Sequence, residues 1–442
     1  MSKKVISIIC VVTLLAATLG GCQGNGNEEY VIVNPNQKDK VESEEKNTLT
    51  VWCWDPAFNI NAMQKAEEIY QQEHPDFKLN IVETPSEDVQ TKLETAVLSS
   101  TTENLPDIIL LQDRSFQKNV ITYTDGFVDL TDKGIQFDNF SAGKLGFSTV
   151  DGKNYGVPFD NGAVIACYRT DILKKAGFTV KDFENITWDE YIKKGKIVLE
   201  KTGVPMLSFV KGGTDQIVML MQSAGGGFFD EDGNVDIKDN DVLKEVMKTY
   251  TKLIKEGVLV EVNDWDRYIA SINEGKVAGV INGCWIMASV QGAEKQSGKW
   301  EITNMPRLTN VSGATNYANQ GGSSWAVTTG CKNIDLAVDF LGSTFGGSVE
   351  FYDNILNSGA ISCYLPAGES EMYGQKNEFF SGEEVYTKIL DYAGKIPSCI
   401  TGVYFGEASE ALSAAISNVT EGGDLNREIL KVETRVKESM EE

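Results

Sequence analysis

Sixty-four Asp and Glu residues and a single histidine, His74, set the side-chain chemistry open to this 442-residue chain. Paired carboxylates could act as acid and base on a glycosidic bond, provided two sit about 5 to 9 Å apart and burial raises one pKa. No sequence states that distance. One imidazole excludes multi-histidine zinc sites, HExxH proteases and most Ser-His-Asp triads. His74 itself precedes Pro75 at an expected helix end, where a solvated capping role fits better than that of a base.

Other chemistry-bearing patterns fail on spacing. No GxxxxGK[ST] phosphate loop occurs. The run 230–241, DEDGNVDIKDND, imitates a calcium loop, but Gly233 stands fourth where the sixth position needs glycine, and Asp241 stands where a bidentate Glu belongs. A surface turn is the reading. Ser141-x-x-Lys144, Lys201-Thr202-Gly203 and Ser271-x-Asn273 echo penicillin-recognising enzymes in the wrong order. Cys53, Cys167, Cys284, Cys331, Cys363 and Cys399 form no CxxC pair, so most are expected to be buried small apolar residues, with one or two disulfides left open. No metal or cofactor is expected.

The elements that must position any site read as α/β. LTVWCW and KLNIVE are strands, IILL after Pro106-Asp107 is a third, and Met63, Ala66, Ile69 and Tyr70 form an apolar helical stripe between the first two. Residues 87–100 supply a second helix. Strand–helix alternation of this kind gives a parallel sheet covered on both faces. Beyond Gly126, strands are expected near YGVPF, AVIACY and 277–281. Thr187-x-x-Glu190 is a capping box that starts a helix at Trp188 and ends it near Gly203. Further helices fit 214–223, 241–256, 265–274, 334–345, 383–394, 406–419 and 424–439. The acids from 428 onward read as a solvated face, Trp188 as structural, and Trp300 as structural on a surface-like strand.

The amino terminus carries two lysines and a mostly apolar run, Val5–Leu19, spanning about 22 Å at ~1.5 Å per residue. That is short of a ~30 Å membrane core, so residues 1–21 read as an export signal. Leu19-Gly20-Gly21-Cys22 resembles a lipoprotein lipobox, which makes Cys22 the lipidated residue and new amino terminus. Two or three acyl chains anchor a protein firmly. Residues 22–47 are polar and read as a flexible tether reaching roughly 25 to 30 Å. Removing Lys3 and Lys4 takes the formal charge from −24 to −26. So acidic a chain is not a nucleic-acid binder.

Six segments together resemble the extracellular solute-binding proteins of ABC importers, in the family of maltose- and oligosaccharide-binding proteins. They are TLTVWCWDPAFNINAMQKAEEIYQQEHPDFKLNIVE, LPDIILLQD, DGKNYGVPFDNGAVIACYRTDILKKAGF, ITWDEY, INEGKVAGVINGCW and GGSSWAVTTGCKNIDLAVDFL, spanning residues 48–345. The resemblance implies a two-lobed, periplasmic-binding-protein-like α/β fold, each lobe a mainly parallel sheet flanked by helices, with a hinge and a cleft. The first lobe is expected over 48–158 plus about 326–362, the second over 159–325 plus about 363–442. It implies capture of an extracellular carbohydrate, a neutral oligosaccharide, and delivery to ABC permease subunits. No catalysis is expected. The expected protein is a monomer, held by Cys22 on the outer face of the cell membrane of a Gram-positive bacterium.

A neutral sugar needs aromatic rings under its C–H faces and amides or carboxylates at its hydroxyl rim. Trp54 and Asp55 follow the first strand at its carboxyl end, where ligands of open α/β sheets lie; Trp52 is assigned to the core. Gln112 and Asp113 follow IILL at the equivalent place, with a helix cap as the alternative for Asp113. Asp160 and Asn161 stand at the first crossing between lobes, or form only a hinge turn. Trp285 matches the family position whose ring stacks on sugar. Trp265 either joins it or caps a helix. Gly322 and Ser323, with Gly321, stand at another crossing where glycine permits rotation and close approach. Tyr404 and Glu407 resemble the last ligand contacts. A secreted glycoside hydrolase and a non-sugar cargo remain the rivals.

Overall fold

The computed structural model describes residues 47–140, 142–230, 233–397 and 402–441. The leader, Cys22, nearly all of the tether and Cys399 lie outside these residues. The chain opens with β1 (Thr48–Cys53), α1 (Asn59–Tyr70), β2 (Lys78–Glu83), α2 (Ser86–Leu98), β3 (Ile108–Gln112) and α3 (Asp113–Thr122). Next come α4 (Ala142–Leu145), a small hairpin of β4 (Thr149–Val150) and β5 (Lys153–Asn154), and β6 (Val157–Asn161). β1 pairs in parallel with β2 and β3, as the strand–helix alternation predicts. β3 shows why this sheet needs cover on both sides. Ile108 and Leu110 enter one apolar cluster, with Val51, Phe159 and Trp325, while Ile109 and Leu111 enter another, with Val89, Leu93 and Phe116.

After β6, Gly162 and Ala163 lead straight into β7 (Val164–Arg169), so one extended stretch passes from the first sheet to a second. The second region adds α5 (Thr170–Ala176), α6 (Trp188–Thr202), β8 (Leu207–Val210), α7 (Asp215–Gln222), α8 (Asp241–Lys255) and β9 (Leu259–Val262). It continues with α9 (Trp265–Asn273), β10 (Gly279–Gly283), α10 (Ile286–Gln291) and β11 (Trp300–Thr303). The chain then returns through β12 (Ser323–Val327), α11 (Ile334–Ser343), α12 (Val349–Ile355) and β13 (Ile361–Ser362). It ends on α13 (Val385–Ala393), α14 (Phe405–Thr420) and α15 (Leu425–Glu441). α6 begins where its capping box predicts: the Thr187 hydroxyl accepts from the Glu190 N–H, the Glu190 carboxylate answers, and Gly203 ends the helix at φ +72°.

Strand direction departs from the mainly parallel expectation. The first sheet has the order β13-β6-β12-β3-β1-β2, and β12 runs antiparallel to both β3 and β6. In the second sheet β7 is antiparallel to β10 and β11, and β8 and β9 form a separate two-stranded parallel sheet. The cause is the crossing chain. β1, β3 and β6 run toward the gap between lobes, whereas β7 and β12 start at that gap and run away from it. A crossing strand therefore opposes its new neighbours.

Two surface assignments also change. Trp300 is fully buried, its Nε1 donating to Gln296 Oε1 at 2.9 Å. Glu428 and Glu433 of α15 are buried too, because Lys431 and Lys437 fold over them and Asn418 and the Lys238 N–H donate to them. His74 is exposed, as expected, and stacks on Tyr70 with ring centroids 4.1 Å apart. Cys53, Cys167, Cys284, Cys331 and Cys363 are buried free thiols, and Trp188 is in the core.

Candidate ligand-binding cleft

The carboxyl ends of β1, β3, β6 and β10 and the start of β12 meet at the gap between the two sheets. Trp285 follows β10 after a single residue, Cys284. Its indole packs against the main apolar clusters of both lobes, and its Nε1 donates to the Gln320 carbonyl at 2.8 Å. Gly321 makes room for this: at φ +94°, an added Cβ would lie 2.7 Å from Trp285 Nε1. Trp265 opens α9 behind the Asp264 cap, and its ring is 5.8 Å from that of Trp285 with a 37° tilt. It is 43% exposed, which is unusual for the most hydrophobic large ring. Asp264 caps the helix as expected, but the Trp265 ring faces outward and is not packed into the core.

Trp54 is half-buried against the first lobe's cluster. The N–H groups of Trp54 and Asp55 both donate to Asn59 Oδ1 at 3.0 Å, and Asp55 Oδ1 accepts from Ala57 and Phe58. Asp55 therefore shapes the turn into α1 with one oxygen and leaves the other available. Burial pushes its carboxyl above the ordinary range, although those two N–H bonds pull it down. Gln112 is exposed at the cap position of α3, and Asn161 Nδ2 donates to the Ser362 carbonyl at 3.3 Å.

Asp113, Asp160 and Ser323 meet below the cleft around a residue that the sequence reading passed over. Lys144 forms an ion pair with Asp113 Oδ2 and donates to the carbonyls of Asp160 at 2.8 Å and Ser323 at 3.0 Å. Ser323 Oγ donates to Asp160 Oδ1 at 2.6 Å, and Ser324 Oγ to Asp113 Oδ1 at 3.2 Å. All five side chains are buried. Gly322, at φ +99°, closes over the pair, and a Cβ there would stand 2.4 Å from Asp113 Oδ2. The group thus ties the start of α3 to β6, β12 and α4 where the strands cross.

One ammonium serves two carboxylates here, so the trio carries a surplus negative charge. Burial raises Asp113 to about 6 despite Lys144, and raises Asp160 in the same direction. Burial also opposes the charge on Lys144, but the two carboxylates outweigh it and hold its pKa up. The folded state therefore keeps a proton that an unfolded carboxyl loses near ~3.9, and this stability is lost as pH rises through about 6. Asp113→Asn, which removes the surplus charge, should flatten the pH dependence of the thermal midpoint between about pH 4 and 6. A midpoint profile parallel to that of the unaltered protein would contradict this.

Tyr404 and Glu407 meet a third group. Lys118 of α3 forms an ion pair with Glu407 Oε1 and lies 6.0 Å above the Tyr404 ring, while Glu407 Oε2 is buried without a hydrogen-bond partner. Arg114, one turn earlier, lies 5.3 Å above Phe405 and donates to Gln320 Oε1 at 2.9 Å. Arg114, Lys118, Lys144 and Gln320 were all missed. Arg114 had a signal, since it follows Asp113 directly and shares a helix face with Lys118; Lys144 had none. Among the described residues no cluster of three or more His, Cys, Asp or Glu could hold a metal.

The family described as bacterial extracellular solute-binding protein matches residues 65–349. The lactose-binding protein of Rhizobium radiobacter is 38% identical over 87% of this chain and 90% of its own length. The arabinooligosaccharide-binding protein of Bacillus subtilis (strain 168) is 23% identical over 94% of each chain. Among solved structures, the ABC transporter associated binding protein from B. animalis subsp. lactis Bl-04, in complex with β-1,6-galactobiose, superposes with a TM-score of 0.75. The match covers 89% of this chain and 98% of that one at 21% identity.

Proposed function

The chain belongs to the bacterial extracellular solute-binding protein family, and from that premise we propose that it captures a neutral saccharide between its lobes and passes it to an ABC permease. The observation that carries this reading is the Trp265–Trp285 pair, an aromatic surface at the mouth of the cleft whose inner ring contacts both lobes. Sugar C–H faces lie on these rings. Trp54, the free oxygen of Asp55, Gln112 and Asn161 meet the hydroxyl rim from the first lobe. Asp113, Asp160, Gly322 and Ser323 act behind them, fixing the strand crossings about which the lobes turn. Closure on the sugar is then favoured by contacts that only the closed form makes.

The names of the relatives support this cargo class, since they are lactose- and arabinooligosaccharide-binding proteins. Cys22 serves as the lipid anchor of a monomer outside the cell membrane. This accords with the Streptococcus pneumoniae relatives described as solute-binding lipoproteins, and no described helix is long and apolar enough to cross a membrane. Titration calorimetry with lactose, β-1,6-galactobiose, maltose and arabinobiose tests the reading. At least one should bind with a Kd of about 10 µM or tighter, near −7 kcal/mol. No heat from any of them at millimolar concentration would sink it, and release of monosaccharide on incubation would turn it toward hydrolysis.

A further inference from the structure

The two lobes are also joined by charge along α3. Arg114 and Lys118 are four residues apart on α3, so both project from one face. That face meets the second lobe at α7 and α14. Lys118 pairs with Glu407 Oε1 above Tyr404, and Arg114 lies over Phe405 with Nη1 3.8 Å from Asp215 Oδ1. The Lys118 and Glu407 side chains are only 32% and 23% exposed, which shields the pair from screening. This barrier starts close to the aromatic surface. Gln320 spans the two, accepting from Trp285 Nε1 through its carbonyl and from Arg114 through its side chain.

We propose that the Lys118–Glu407 pair, backed by Arg114 on Phe405, is a lip that ends the binding cleft and restricts the cargo to a disaccharide. The proposal rests on the carbohydrate reading above and adds a length limit to it. A disaccharide fits on the Trp265–Trp285 surface with the lip shut. A third sugar unit directed toward α3 has to part a partly buried ion pair and displace a guanidinium from an aromatic face, and both contacts resist.

The test is calorimetry of the full chain with two homologous series, β-1,6-galactobiose to galactotetraose and maltose to maltotetraose. In the series that binds, the disaccharide should bind about tenfold or more tighter than its longer members, a gap of about 1.4 kcal/mol. Lys118→Ala should shrink that gap to below about threefold while leaving the disaccharide within about twofold, and Lys118→Arg should keep the gap. Circular dichroism checks that both variants fold, as expected for a partly exposed position. Equal affinity for all lengths in the unaltered protein, or an unchanged gap in Lys118→Ala, overturns the lip and leaves the carbohydrate reading standing. Absence of binding by every member of both series overturns the two together.

Discussion

Replacing Trp285 with alanine should weaken saccharide binding about 10- to 100-fold, or about 1.4 to 2.8 kcal/mol, on the scale of one buried and stacked aromatic ring. The magnitude follows from where the ring lies. Trp285 packs on the apolar clusters of both lobes and is fixed by its bond to the Gln320 carbonyl, so it is already ordered before a sugar arrives. Its removal takes away the stacking surface and a contact between lobes together. Trp265→Ala should cost less, because that ring is 43% exposed and retains water on one face. Trp285→Phe should recover part of the loss, since it restores a ring without the N–H. Calorimetry on the three variants checks this order; unchanged affinity in Trp285→Ala would remove the residue from the site.

Replacing Lys144 with methionine should destabilise the protein by about 3 to 5 kcal/mol, the usual effect of removing one partner from a buried ion pair. Methionine fills a similar volume, so the change is chiefly one of charge. Asp113 and Asp160 would lose the ammonium that both now face, and the Asp160 and Ser323 carbonyls would each lose a donor. The pH dependence separates this effect from a packing defect. Without Lys144 both buried carboxyls must take up protons to avoid charge, and that costs more as pH rises above the carboxylate range. The loss in thermal midpoint should therefore be larger at pH 8 than at pH 5. A loss that is small, or equal at both values, would show that the lysine does not hold the acids.

These two sites differed in how far the sequence exposed them. Trp285 stands in INGCW at the end of a strand, so a local pattern and a family resemblance both reach it. Asp113 and Asp160 were equally visible as acids at strand ends, but their surroundings were not. Asp113 was read as a ligand contact or a helix cap and Asp160 as a ligand contact or a hinge turn; both face Lys144, which lies 31 and 16 residues away in the chain. Nothing in Ser141-x-x-Lys144 announces such a partner. Glu407 was assigned to the ligand and is held by Lys118, 289 residues distant. Glu428 and Glu433 looked solvated because helical periodicity places them among charges, yet α15 buries them under its own lysines.

The sequence by itself determined the opening strand–helix alternation, most of the longer helices, the capped start and glycine end of α6, the α/β class and the aromatic residue just after β10. Those features depend on hydrophobic period, side-chain caps and turn residues, which act over a few neighbours. The tertiary structure alone decided strand direction after each crossing, the shared lysine beneath the cleft and the ion-paired side where α3 meets α14. Such features depend on which distant segments exclude water together. A buried charge is stable only where a partner is delivered to it, and that delivery is a property of the fold and not of any stretch of chain.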